Sequence, residues 1–393
     1  MDTGFAQRDF AGGTFRDGTA GPAARGRDPV SLEGWSPLWT GLARVGGLLG
    51  PADRPDRDPW ALLDGRGQGW QRDSRVFCPT SRRIVGDGPR FDCVVPPGGY
   101  AWWYIDATSA DGAYGLTVIA FVGSVFSPYY KISGRHRPDN HCAINVSLNG
   151  PRGSAWAMTE RPARQVDRAS HHFAAGPSAL RWDGATLVID IAELSAPLPV
   201  PVRGTIRVTP ELLNRTAFAL DPEARHRWHP VAPRAHVEVA MTDPGVRWSG
   251  AGYFDSNFGD EPLEDGFNDW HWSRAHLRDD VAVLYEGQRR DGTPFDLALR
   301  LDRMGNWHDV DQPAPARLPR TGWLINRTTR ADAGFTPRVT KTWVDAPFYA
   351  RSKLSTRLFG ENVEAVHESL SLRRFRSPIV QGMLPFRMPR AIW

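Results

Sequence analysis

The chain has 393 residues, 41% of them hydrophobic and 23% charged, with a net charge of +4. This composition belongs to a globular protein long enough for two domains or one large β domain. The slight basic bias comes without a zinc knuckle or a basic-aromatic ribonucleoprotein box. It argues against a dedicated nucleic-acid binder and is compatible with contact to an anionic membrane surface.

In chain order, residues 1–65 predict a disordered or partly helical extension rich in Gly, Ala, Arg and Asp. Ser36 to Gly50 has helical spacing (Leu38, Leu42, Val45, Leu49) behind a capping Ser36 and Pro37. Trp35 and Trp39 would let that helix lie in a membrane interface, or it packs on the body of the protein. Residues 51–68 read as a polar linker. The start of the chain lacks the apolar core of a signal peptide, and no run reaches the ~20 apolar residues of a membrane helix. The longest apolar run, Tyr114–Phe126, carries Gly115 and Gly123 and reads as a strand. Cys78, Cys93 and Cys142 show no metal or CxxC spacing, which predicts reduced thiols and a cytoplasmic protein.

From Trp70 onward the texture is β. Phe91–Val95 and Tyr100–Asp106 flank a Pro-Pro-Gly-Gly turn, and Asp111-Gly112, Asp183-Gly184 and Asp291-Gly292 mark hairpins. The 33 prolines and 39 glycines favour turns over long helices. More than a dozen short strands at roughly ten-residue spacing predict two barrels in tandem, with a break between about Pro230 and Pro244.

The stretch Arg247–Trp272 gathers aromatic residues around one carboxylate, Asp255, then runs into an acidic loop with Asp260, Glu261, Glu264 and Asp265. Asp255 reads as a general acid held protonated by an aromatic wall, or as a turn aspartate. Tyr253 shares its strand face and could hydrogen-bond it, or be a core tyrosine. In His226-Arg-Trp-His-Pro230, read as an extended segment, His226 and Trp228 share a face and His229 points the other way. His226 would relay a proton or order a water, and Trp228 would face a developing cation, unless both are packed strand-end residues. The loop from Asp255 fails calcium-loop spacing. P-loop, G-x-S-x-G, H-E-x-x-H and dinucleotide signatures are absent, so the expectation is chemistry with protons, water and shape: no cofactor and no metal.

The segments Gly98–Tyr104, Val122–Tyr130, Asn140–Asn145, Ala157–Arg161, Gly176–Trp182, His226–Pro230, Arg247–Gly266, Val366–Leu370 and Leu384–Pro389 resemble the carotenoid 1,2-hydratases (hydroxyneurosporene synthases) of phototrophic bacteria. The resemblance covers about residues 70–390 and leaves residues 1–65 unmatched. It implies an all-β fold of two tandem lipocalin-like antiparallel β-barrels, divided here as residues 66–235 and 236–393. It implies addition of water to the terminal double bond of acyclic carotenes such as neurosporene or lycopene, giving a tertiary alcohol, with no organic cofactor. The family's functional residues fall on His226, Trp228, Tyr253 and Asp255.

That chemistry requires a positioned, desolvated acid, because an isolated alkene is a weak base. Asp255 would protonate it, Trp228 and Tyr253 would stabilise the cation, and His226 would orient water or accept its proton. Trp102, Trp103, Tyr104, Phe126, Tyr129 and Tyr130 are the expected walls of the slot, though core packing explains each as well. Because carotenes reside in bilayers, the expectation is a peripheral protein on the cytoplasmic face of the membrane. Trp35, Trp39 and the basic end (Arg373, Arg374, Arg376, Arg387, Arg390) would form its docking surface, or the basic end is simply solvated. Two other readings use the same residues: a non-catalytic lipocalin-like carrier of a polyene or lipid, and a proton-initiated isomerase or cyclase.

Overall fold

The computed structural model describes residues 72–73 and 88–391. The expected Ser36–Gly50 helix, Trp35, Trp39, the linker and Cys78 lie outside the described residues. Cys93 and Cys142 are buried.

The described chain is all-β. Its longest helix, Pro378–Met383, has six residues, and none is long and apolar enough to cross a membrane. The first and larger sheet runs in spatial order Gly153–Arg161, Cys142–Gly150, Gly115–Val122, Tyr100–Ser109, Val246–Gly259, His226–Asp243, Pro201–Pro210, Leu187–Leu194, Ser178–Trp182, His172–Ala175, Val166–Ala169. It curls until one edge meets itself: Ala157 forms a bridge with Ser195, beyond Leu187–Leu194, giving a nearly closed barrel. The second sheet runs Trp307–Asp309, Pro294–Leu301, Val281–Arg289, Phe267–His276, Glu361–Ser371, Tyr349–Leu358, Arg338–Asp345. All pairings in both sheets are antiparallel between the consecutive strands, and the Asp111-Gly112 and Asp291-Gly292 hairpins form, with both glycines at positive φ as such turns require.

Strand alternation distributes the side chains between two cores. On Tyr100–Ser109, residues Ala101, Trp103, Ile105 and Ala107 enter the core inside the curled sheet. Tyr100, Trp102 and Tyr104 turn to the opposite face and join a second core shared with the other sheet. Val246–Gly259 divides the same way: Phe254 and Phe258 go inside, and Tyr253 goes to the seam. These strands are buried on both faces, and so they read as continuous apolar runs.

The segment expected as a strand end at His226–Pro230 is one continuous strand, His226–Asp243. Pro230 and Pro233 lack an N–H for the ladder, and the register against Val246–Gly259 shifts between His229 and Ala232 and again between Ala232 and Ala235. Beyond these bulges Ala235, Val237, Val239 and Met241 line the inner core, while Trp228 at the other end reaches the seam. The chain crosses from the first sheet to the second between Gly259 and Phe267.

An ion pair ties the sheets together. Arg274 of the second sheet donates Nε to both carboxylate oxygens of Asp106 of the first, at 3.0 and 3.1 Å, and its Nη2 also meets Asp106. Asp106 is fully buried and Arg274 is 5% exposed. Removing one member strands a buried charge, and Arg274→Met is expected to cost about 3–5 kcal/mol in chemical denaturation. A similar substitution in the exposed pair Arg303–Asp279 is expected to leave the midpoint nearly unmoved.

Candidate active site at the seam between the sheets

Period-2 alternation puts Tyr253, Asp255 and Asn257 on the seam face of Val246–Gly259. The neighbouring strand brings Trp228 opposite Asn257, and the strand on the other side places Tyr104 opposite Asp255. Asp255 is 4% exposed. Its Oδ2 accepts hydrogen bonds from the Trp228 indole Nε1–H and the Tyr253 hydroxyl, each at 2.9 Å. Its Oδ1 accepts from Asn257 Nδ2 at 3.0 Å. Burial pushes the Asp255 carboxyl up to about 8, the Trp228 and Tyr253 hydrogen bonds oppose this, and the charges of Glu368 and Asp106 add to it. Desolvation wins, and the group is largely protonated at neutral pH. Trp228 in turn is braced by Phe218 and Tyr285, with ring centroids at 5.4 and 5.9 Å. Trp272 packs on Tyr253 at 5.1 Å.

His226 is brought into a different cluster. It is 1% exposed, its Nδ1 is 2.8 Å from the Tyr100 hydroxyl and its Nε2 is 3.1 Å from Glu261 Oε1. Its ring stands edge-on to Phe267 at 4.8 Å. Gly266 is required here, since a Cβ would lie 2.2 Å from Nε2. Glu261 is held below the usual carboxylate range, mainly by its hydrogen bond from His226. The Tyr100 ring stacks on Trp102 at 4.8 Å. His226 therefore joins the seam through Tyr100 and Trp102 and makes no hydrogen bond to Asp255. His229 points the other way, to the Asn214 carbonyl at 2.8 Å, and burial lowers it to about 4.

A cavity of about 430 Å³ opens beside this cluster, within the range of small-molecule sites. Trp102, Tyr104 and Phe126 of the expected wall line it, together with Phe121, Trp270 and Trp343. Trp103 does not, because its odd position turns it into the inner core, where Nε1 donates to the Arg90 carbonyl at 3.1 Å. Tyr129 and Tyr130 sit in the short helix Pro128–Ile132, away from the cavity wall; the Tyr130 hydroxyl donates to the Gly99 carbonyl at 2.9 Å. Asp255, Tyr253, Trp228 and His226 lie behind the aromatic lining of Trp102, Tyr104 and Trp270 and are not part of the cavity surface. Among the described residues no group of three or more His, Cys, Asp or Glu side chains is placed to hold a metal.

Sequence reasoning passed over Glu368 and Arg351, both on the cavity wall. The signal was present: a carboxylate occupies the middle of Val366-x-Glu368-x-Leu370, where alternation predicts an apolar residue. Tyr100, Glu261 and Asn257 were also missed, as their partners become visible only in the fold.

The family model for carotenoid hydratase CrtC matches residues 118–393. The acyclic carotenoid 1,2-hydratase of Thiocapsa roseopersicina is 48% identical over 383 residues, 95% of this chain and 94% of the relative. That of Rubrivivax gelatinosus is 44% identical over 385 residues, again 95% and 94%. Among solved structures, a Nitrosomonas europaea protein assigned as AttH shares the fold, with a TM-score of 0.50 at 13% identity over 69% of this chain and 92% of that one. With a family model over residues 118–393 and identities of this size across nearly the whole length, the chain belongs to the carotenoid hydratase family.

Proposed function

We propose that this protein is an acyclic carotenoid 1,2-hydratase, a hydro-lyase that adds water across the terminal double bond of an acyclic carotene such as neurosporene or lycopene. The observation that carries the reading is Asp255: a carboxyl raised to about 8 by burial, set among rings, beside a cavity with a mainly apolar lining rich in aromatic residues. Asp255 gives its proton to the less substituted alkene carbon, and a tertiary cation forms on the other. The Tyr253 and Trp228 side chains, already bonded to Asp255, lie where ring faces can stabilise that charge, by up to ~2 kcal/mol each when desolvated. Water captures the cation. Trp102, Tyr104 and Trp270 stand between the cavity and Asp255, and the reading requires the alkene end to pass this layer. His226, through Glu261 at the protein edge and Tyr100 at the seam, links this region to solvent and serves proton return.

The two sheets correspond, in this reading, to two lipocalin-like units divided between Gly259 and Phe267 instead of at 235/236. The membrane contact falls at the cavity mouth. The segments Ser195–Val200, Gly322–Trp323 and Val380–Arg387 contribute to the lining, and the same segments or their neighbours carry Leu198, Val200, Leu324, Ile379 and Phe386, each 38–72% exposed. The basic end is less available than its sequence suggests. Arg374 binds the Trp323 and Leu324 carbonyls, Arg376 those of Glu264 and Phe267, and Arg390 pairs with Glu160. Apolar insertion at the mouth, more than a basic tail, supports peripheral binding.

Incubation with lycopene or neurosporene without oxygen is expected to give products one and two waters heavier. Unchanged mass with an altered spectrum would indicate an isomerase or cyclase, and unchanged carotene a carrier. Asp255→Asn is expected to lower turnover at least ~10²-fold while leaving the fold intact; wild-type turnover would remove Asp255 from its role. The acid must be protonated to act, so kcat/KM is expected to fall tenfold per pH unit above about pH 8. A profile that rises through that range contradicts the assignment. The pair Ile379→Asp and Phe386→Asp is expected to abolish co-sedimentation with anionic phospholipid vesicles, with turnover on detergent-dispersed carotene preserved.

A further inference from the structure

The side chains that line the cavity are of two chemical kinds. One is aromatic, with Trp102, Phe121, Phe126, Trp270 and Trp343. The other is polar, with Thr117, Asn145, Ser147, Arg351 and Glu368. An acyclic hydrocarbon offers nothing for the second kind to bind. Asn145 and Ser147 are hydrogen-bonded within the protein, and the charged pair Glu368–Arg351 is left as the part of the lining that a hydrocarbon does not explain.

The polar part of the lining centres on Glu368. Its Oε1 accepts the Tyr104 hydroxyl at 2.6 Å, and the Tyr349 hydroxyl also bonds to it. Arg351, whose side chain is fully buried, holds Nε 3.4 Å from the same oxygen. Arg351 Nη1 and Thr117 Oγ1, both buried, have no hydrogen-bond partner. Glu368 keeps some exposure on this lining while Arg351 lies fully beneath it, and a carboxylate with tyrosine hydroxyls beside it supplies the acceptor and donors that position a water.

Glu368 is also coupled to the acid. Tyr104 is the cross-strand neighbour of Asp255, and Trp272 is the cross-strand neighbour of Glu368. Tyr104 and Tyr253 meet edge-on at 6.3 Å, and Trp272 packs against both. One carboxyl thus lies behind the aromatic layer and the other in the cavity, joined through Tyr253 and Tyr104.

Resting on the hydratase reading above, we infer that Glu368, positioned by Tyr104, Tyr349 and Arg351, holds the water that captures the cation and takes the proton it releases. The steps balance. The alkene π bond breaks as a C–H bond forms with the proton of Asp255, which is left as carboxylate. A water oxygen lone pair forms the C–O bond, an O–H bond breaks, and that proton passes to the Glu368 carboxylate. Asp255 has lost one proton and Glu368 has gained one, and exchange with solvent restores both.

The inference separates protonation from capture, and turnover of lycopene in D₂O reads the two apart. A cation that is formed but not captured returns its proton to Asp255 and leaves deuterium in the recovered carotene or its double-bond isomer. Glu368→Gln is expected to form hydrated product at least tenfold more slowly while recovered carotene takes up deuterium at the wild-type level or above. Tyr349→Phe keeps Glu368 but loosens it, and is expected to raise the ratio of deuterium uptake to hydration. Hydration by Glu368→Gln at the wild-type rate overturns the inference. So does a parallel loss of deuterium uptake and hydration with circular dichroism and Tm unchanged. Should Glu368→Gln fail to fold, an unchanged ratio in Tyr349→Phe is equally fatal. Asp255→Asn in the same assay is expected to lose both signals; deuterium uptake by that variant would overturn the acid assignment itself.

Discussion

The site depends on a contest between desolvation and hydrogen bonding at one carboxyl. Asp255 has three donors within hydrogen-bond distance, an arrangement that in a wetter place would stabilise its anion. Here the seam excludes water and two further carboxylates lie near, and burial outweighs the donors. The same Trp228 and Tyr253 contacts that fix the carboxyl set the rings around it. Acid strength and cation stabilisation are therefore one packing problem, not two.

The seam exists because two sheets each spend a face on the other. Strands such as Tyr100–Ser109 bury one set of residues inside the curled sheet and the alternate set against the second sheet. Buried charge within that seam is tolerated through pairing, as Asp106 with Arg274 and Glu368 with Arg351 illustrate. A mainly apolar cavity, carrying a few fixed polar groups and next to an acid that burial keeps protonated, suits an apolar substrate whose chemistry needs a proton and a water.

How much of this was legible in the sequence follows from what a period of two can convey. Tyr253 and Asp255 are two residues apart on a strand, and their common face was readable. The four residues carried over by family resemblance could be named, but only Asp255, Tyr253 and Trp228 are joined directly by hydrogen bonds; His226 bonds to Tyr100, 126 residues away. Trp102 and Trp103 both looked like wall residues, because a strand buried on both faces shows no polar alternation to tell inside from outside. Strand number was readable and sheet membership was not: a break was expected between about Pro230 and Pro244, whereas one strand bulges near Pro230 and Pro233 and continues to Asp243. Glu368 lies 264 residues from Tyr104, a distance over which no local pattern speaks.

The central claim, that Asp255 is a neutral acid at physiological pH, is open to direct observation by infrared difference spectroscopy of the wild type against Asp255→Asn. The account predicts a protonated-carboxyl C=O band at pH 6 that is absent from the variant and disappears as the pH is raised through about 8. A wild type showing only the carboxylate band of this residue at pH 6 would contradict it.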